Sequence, residues 1–353
     1  MTTQTRAVDG RFTVSITSYT GHEKALLEVR NRNRRIQQQQ QFLDWRYARI
    51  SDEPDPRIFW LINSASEPVA TTAVVFRNYL VNGERKVFAV VGDISVDVAL
   101  RGIGLSKKLY AAVNQFITEE EPVCGFVLAK PLAAQGLVTT GWQKGDGLSS
   151  LVWATNLSRK FEHQRYVRKL LSKGAGQVWR RLIRAQLKRF AHESAGICAR
   201  EVESINPKLE HLWSSMPKQE LILRERTMAA LQWRFSPIGG QFRFIEFLRS
   251  GELLGFAVCR GETEGLCMVE EFLVADPRLA RPCFAVLLKR ALEDISIATV
   301  RFTVNAHSYY ARILRTLGAV RRERRAAFHI FAAREPLLLR PTAWLIMASD
   351  KDA

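Results

Sequence analysis

Residues 90–117 of this 353-residue chain read VVGDISVDVALRGIGLSKKLYAAVNQFI. An apolar, β-branched run gives way to Arg101, Gly102, Ile103, Gly104, Leu105 and Ser106. An amphipathic stretch follows, apolar at Leu105, Leu109, Ala112, Val113, Phe116 and Ile117. The change of period across a glycine pair reads as strand, turn, helix. Glycine lets backbone approach a ligand closely, and the first amides of a helix have no internal partners. Such a turn is therefore a ready anion cradle. Neither G-x-x-x-x-G-K-[ST] nor G-x-G-x-x-G is present, because Ser106 and Lys107 follow Leu105. On residue types alone, phosphate binding and a plain strand–helix connection fit equally well.

Working outward, the chain repeats itself. QFLDWRYARI, with Trp45, Arg46 and Tyr47, recurs as AALQWRFSPI, with Trp233, Arg234 and Phe235. Each copy continues with strand-like runs in the same order: 57–63 and 241–249, 69–76 and 253–260, 87–98 and 267–275. Helix-like stretches follow at 106–117 and 284–295, then strands at 123–130 and 298–304. Gly141 and Gly318 close the two series. A shared order of this length predicts two copies of one fold. The second copy has lost the cradle. Where the first has glycines it has Arg278, Leu279, Ala280, Arg281, Pro282 and Cys283, and Pro282 removes an amide.

Composition sets the frame. The length suits two domains, and a 47% hydrophobic content supports genuine cores. Five scattered cysteines (Cys124, Cys198, Cys259, Cys267 and Cys283) without a C-x-x-C pair indicate neither a disulfide framework nor a zinc site, and no metal is expected. The N-terminus lacks the apolar core of a signal peptide. No run approaches the ~18 apolar residues of a membrane-spanning helix, so a cytoplasmic protein is expected. Six dispersed histidines form no nucleophilic or metal motif.

The net charge of +17 predicts affinity for polyanions. Much of the excess lies between Arg159 and Arg189, where eleven Lys and Arg face Glu162 alone, interleaved with apolar residues such as Trp179, Leu182 and Ile183. Gly174 and Gly176 are expected to divide this connector into two helices. Three readings compete for it: a solvated linker, an amphipathic helix on an anionic membrane (placing the protein at the inner membrane face), and a dock for an acyl carrier protein. Nucleic-acid binding is not expected, since the aromatics form no stacking platform. A second basic run, 321–325, is expected on an exposed hairpin. Residues 37–41, all glutamine, are expected to continue or end the first helix, and residues 344–350 to form a last strand with a polar end.

The stretch from Arg101 to Ser106 resembles the Q/R-x-x-G-x-G/A loop of the GNAT superfamily of acyl-CoA N-acyltransferases. Arg101 and Gly104 match, and Ser106 replaces the usual small residue. Val96 matches the valine before that loop, and Gly141-Trp142 the downstream Gly-aromatic pair. The likeness extends over residues 10–157. It implies an α/β (α+β) fold: two tandem GNAT-like domains, 10–157 and a degenerate 196–350, each a mixed, mostly antiparallel sheet flanked by helices, joined by a basic helical connector, 158–195.

The resemblance further implies acetyl-CoA or another acyl-CoA as co-substrate. The pyrophosphate would sit on Arg101, Gly102, Ile103, Gly104, Leu105 and Ser106, and the pantetheine along a strand edge at Val96 to Val98. It implies transfer to a small-molecule amine, with Asp93 of the fourth strand as candidate base. The family's thiolate-protonating tyrosine is replaced by Leu137, and its helix-start asparagine by the segment Lys130-Pro131-Leu132. The Trp45-Arg46-Tyr47 triplet and the Trp344…Asp350 tail resemble a bacterial subset linked to polysaccharide biosynthesis, which implies an amino-sugar acceptor. A non-catalytic acyl-CoA-binding or membrane-associated assembly protein is the alternative.

Overall fold

The computed structural model describes residues 4–9, 11–50, 52–120, 122–129, 131–156, 168–262 and 265–352. The first copy contributes β1 (Gln4–Asp9), β2 (Phe12–Ser18), α1 (Glu23–Arg32), α2 (Gln40–Arg46), β3 (Arg57–Asn63), β4 (Pro68–Val81), β5 (Glu84–Val96), α3 (Leu105–Glu120), β6 (Cys124–Ala129), α4 (Pro131–Thr139) and β7 (Gln143–Ala154). A helix, α5 (Arg168–Lys188), leads to β8 (Ile197–Val202), α6 (Lys208–Ser215), β9 (Ile222–Arg224) and α7 (Met228–Arg234). Then come β10 (Arg243–Arg249), β11 (Glu252–Glu262), β12 (Leu266–Val274), α8 (Ala280–Glu293), β13 (Thr299–Asn305), α9 (Tyr309–Thr316) and β14 (Val320–Phe331).

Local chemistry explains the elements that frame the site. Asn82 and Gly83, both at positive φ, turn β4 into β5, the dipeptide that a tight hairpin of right-handed twist prefers. The apolar stripe anticipated for α3 is buried at Leu105, Leu109, Ala112, Val113, Phe116 and Ile117. Gly141 and Gly318 both adopt positive φ just after α4 and α9, where a residue with a Cβ would be strained.

The strands form one continuous sheet in the order β1-β2-β3-β4-β5-β6-β14-β7-β13-β12-β11-β10-β8, with β9 pairing to β4. Neighbours are antiparallel except at β5·β6 and β12·β13. Chain order and sheet order part company in the middle. β14, at the end of the second copy, pairs with β6 and β7, and β7, at the end of the first, pairs with β13. Each half lends its last strand to the other. The ranges 10–157 and 196–350 follow the chain, whereas the two halves interleave at 143–154 and 320–331.

A second junction is built from the repeat itself. Trp45 and Trp233 stack at 5.3 Å, and each indole N–H donates to the other's backbone carbonyl at 2.7 Å. The two copies thus meet through one motif used twice, with pseudo-two-fold symmetry.

Several expectations need correction. α5 runs unbroken through Gly174 and Gly176. Glycine within a helix costs only about 1 kcal/mol, and tertiary packing holds the last turns: Ile183 and Leu187 are buried, and the Trp179 indole donates to the Ala154 carbonyl at 2.9 Å. The part of the connector at 157–167 lies outside the described residues, as does Lys130. The 321–325 run lies within β14, not on a hairpin. The glutamine run does not extend α1, which stops at Arg32; Gln40 and Gln41 instead open α2. The tail is not a full strand. Only Trp344 bridges to Ile222, and the chain then turns into a 3-10 segment, Ala348–Asp352. Its end is polar yet buried, with Asp350 2% exposed. Trp344 packs between Phe126 and Phe328 in the first half, while Leu345 and Met347 enter the second half's core.

Candidate active site

β5 and β6 pair in parallel only at Phe88↔Cys124, Ala89↔Gly125 and Val90↔Phe126. Beyond Val90 they diverge. β5 stays bonded to β4 as far as Val96, and β6 continues against β14. The divergence leaves a gap between residues 91–95 and 127–129, and beyond its end stands the glycine turn.

That turn has the form an anion cradle needs. Gly102 and Gly104 lie at φ of 88° and 87°, and a Cβ at either would meet nothing within 4 Å, so the backbone is open to solvent. Ile103 is exposed, Leu105 is anchored in the core, and α3 begins at Leu105 with Ser106 in its first turn. The Arg101 side chain bends back, its Nε donating to the Val96 carbonyl at 3.2 Å. Val96 and Val98 are less free than a pantetheine edge requires. The Val96 carbonyl is taken by Arg101, the Asp97 amide donates to the Val69 carbonyl, and Val98 starts a 3-10 turn, Val98–Leu100. The length of β5 that faces the gap is 91–95.

Asp93 sits in that length, at a β-bulge. Ala73 pairs with Gly92 and Thr71 with Ser95, so Asp93 and Ile94 together oppose Thr72, and Asp93 takes a φ of 61°. The Thr72 hydroxyl donates to the Gly92 carbonyl at 2.8 Å and secures the bulge. A non-glycine residue in this left-handed region costs about 1–3 kcal/mol unless its surroundings fix it. Here they do. The Arg30 guanidinium lies 2.9 Å from one carboxylate oxygen. Arg46 and the Tyr47 hydroxyl, at 2.8 Å, both donate to the other.

These neighbours hold the Asp93 carboxyl well below the usual carboxylate range, the arginine charges outweighing the cost of burial. Both of its oxygens already face a cation or a hydroxyl donor. A carboxylate in this state is a poor proton acceptor, and the geometry makes Asp93 an anchor of a cationic cluster instead of a base. Burial, with Asp93 alongside, drives the Tyr47 hydroxyl pKa upward, so it stays a donor.

Leu137 is fully buried, with no hydroxyl to offer a departing thiolate. One residue earlier, Gly136 faces the ring of Tyr110 from α3, and burial pushes that phenol up to about 12. Sequence reasoning missed Tyr110, Arg30, Arg34 and the roles of Arg46 and Tyr47. The repeated Trp-Arg-aromatic triplet was the available signal for the last two.

The equivalent place in the second half is closed. β12 and β13 pair from Leu266↔Thr299 to Val269↔Phe302 and then part. The tail occupies the space. Ile346 exchanges hydrogen bonds with Asn305 of β13, and the Ser349 hydroxyl donates to Glu271 of β12 at 2.7 Å. Arg226 bridges Glu271 at 2.9 Å and Asp350 at 3.0 Å. No positive-φ glycine is found between 266 and 283, and Asp276 binds Arg278 of its own turn.

No protein-family model and no curated protein matches this sequence. Solved structures do. A conserved protein of Enterococcus faecalis, described as a probable N-acyltransferase, superposes with a TM-score of 0.62 at 10% identity, covering 92% of this chain and 73% of that one. A GCN5-related N-acetyltransferase from Anabaena variabilis gives 0.61 at 10% identity, over 90% and 72%. A tandem GNAT protein from the clavulanic acid biosynthesis pathway gives 0.54 at 14% identity, over 92% and 99%. The chain has the tandem GNAT fold, and at these identities the likeness is one of fold.

Proposed function

We propose that this protein is an N-acyltransferase whose first half binds acyl-CoA and acylates a primary amine, with an amino sugar of polysaccharide or cell-envelope synthesis as the class of acceptor. The observation that carries the reading is the parting of β5 and β6 after Val90, ending on two positive-φ glycines with open space around them just before a helix begins. Residues 101–106 would hold the pyrophosphate, and the edge 91–95 would hold the pantetheine through backbone hydrogen bonds. The bulge leaves Asp93 and Ile94 off the β4 ladder, so an amide there is available to a developing oxyanion. The amine's proton leaves to water, since Asp93 is committed to its arginines. Tyr110, kept protonated by burial, is the candidate donor to the thiolate. Proximity and orientation supply much of the remaining acceleration.

A binding protein that has kept the fold without turnover is the second reading, and the buried Leu137 favours it. The test is acetyl-CoA binding by calorimetry on wild type and Gly104→Trp, followed by thiol release with amino sugars. Micromolar binding that falls at least about 100-fold in a variant with an unchanged melt supports the cradle. Turnover then separates enzyme from binder.

The connector's partner is proposed on similar grounds. The outer face of α5 exposes Val178 and Leu182 among Arg181, Arg184 and Lys188, which suits an acyl carrier protein as donor. Arg180 donates to the Leu292 carbonyl and is structural, so charge reversal belongs at Arg181 and Arg184.

A further inference from the structure

The cationic cluster at the bulge holds more charge than its carboxylate uses. Arg30, Arg34 and Arg46 all converge on Asp93. Arg30 and Arg46, with the Tyr47 hydroxyl, take up both carboxylate oxygens. Arg34 is left at 3.9 Å, beyond hydrogen-bond distance, with its side chain 39% exposed. Among the described residues its guanidinium makes no hydrogen bond.

The segment carrying Arg34 is nevertheless held in place. The Asn33 side chain donates to Asp97 at 2.8 Å and to the Val29 carbonyl at 2.9 Å, and Arg32 lies 3.5 Å from Asp97. The Asn31 side-chain carbonyl accepts from the Gln38 amide at 2.7 Å, tying the far end of the loop. A partly exposed guanidinium with unspent donors, presented by a pinned loop, is what a bidentate anion site requires. Desolvation and the charge of Arg30 both lower the Arg34 pKa, a cost that an incoming anion relieves.

This anion is not one of the donor's phosphates. Those belong at residues 101–106, beyond the Asp97 pin, whereas Arg34 stands at Asp93, halfway along the gap. On the reading of the gap as an acyl-CoA cleft, this is the acceptor's end. We infer that the acceptor is an amine that also carries a carboxylate or phosphate, and that Arg34 receives that anion. The same positive field disfavours an ammonium relative to the free amine, which does part of the work of the base the site lacks. The attacking species is then the neutral amine: its nitrogen forms the new C–N bond to the acyl carbon, the C–S bond breaks to release the CoA thiolate, which takes a proton from Tyr110, and the nitrogen's proton passes to water.

The experiment compares matched acceptors with acetyl-CoA: glucosamine against glucosamine 6-phosphate, and an amino acid against its methyl ester. The anionic member should be preferred at least about 10-fold in kcat/KM. Arg34→Gln should cut that preference about 10- to 100-fold through KM, and Arg34→Lys should restore part of it. Equal use of both members, or an unchanged preference in Arg34→Gln, overturns the inference. The sugar and amino-acid arms distinguish phosphate from carboxylate. A second readout does not need turnover: inorganic phosphate should raise the melting temperature of wild type more than that of Arg34→Gln, and should still do so in the Gly104→Trp background. Equal protection overturns the anion site. Arg34-dependent protection in a protein that binds no acetyl-CoA would keep the anion site and remove the acyltransfer reading.

Discussion

In the first half, β5 and β6 part after Val90 and the gap stays open. In the second, β12 and β13 part after Val269 and residues 346–350 fill it. Both halves break register in the fourth strand of the unit shortly past the parting point, at Asp93 and Ile94 in one and at Glu270 in the other. Both place acids beside the break: Asp93 meets Arg30 and Arg46 in the first half, whereas in the second Glu270 meets Arg260 and its neighbour Glu271 meets Arg226. What differs is the use of the gap. Where the glycine turn survives, the gap is free. Where the turn has become Arg278, Ala280 and Pro282, the chain's own tail lies in the gap and bonds with Asn305 and Glu271. Loss of a ligand cradle and gain of an internal occupant go together, because an empty gap lined by β12 and β13 would leave buried polar groups unsatisfied.

The sharpest break of this comparison is at the two acids. Asp93→Asn leaves Arg30 and Arg46 without a carboxylate and should destabilise by about 3–5 kcal/mol. Glu271→Gln leaves Arg226 with Asp350 and should cost less, about 1–3 kcal/mol, without altering acyl transfer. Urea melts with parallel rate assays check both. Because the Asp93 pKa is depressed on folding, its contribution is fully present above the ordinary carboxylate value. It is lost as the acid range is entered. The stability gap between wild type and Asp93→Asn should therefore be constant from pH 5 upward and narrow below about pH 4.

The junction between the halves comes next. Trp45→Phe and Trp233→Phe each lose one indole hydrogen bond and part of the stack, about 1–2 kcal/mol, and should couple by more than about 0.5 kcal/mol in a double-mutant cycle. Additive losses would mean the two motifs act independently. The smallest change is Ser349→Ala, which removes one buried hydrogen bond to Glu271. It should cost about 1 kcal/mol with acetyl-CoA affinity unchanged, if the tail serves the second half alone.

Much of this was legible in the sequence. The glycine pair, the stripe on α3 and the ordered repeat gave the fold, because each is a local pattern with a local cause. The partners of Asp93 were not legible, since Arg30 and Arg46 lie far up the chain and only packing unites them. Nor was the strand exchange. β7 and β14 carry the same alternation whichever neighbour they take, so nothing in either strand records which half it joins. The tail reads as a strand because Trp344, Leu345, Ile346 and Met347 are apolar in succession. In the fold they face different cores, which no period expresses.

The exchanged strands also fix the order in which this chain can be completed. Ala129 finds its partner Ala327 roughly 200 residues later. As the chain leaves the ribosome, β6 waits with an open edge until β14 has emerged, and a bare edge is a template for wrong pairing. Neither half can close its sheet before β14 emerges. The protein finishes both at once, when that strand arrives, and a chain stopped short of β14 leaves β6 with its edge bare.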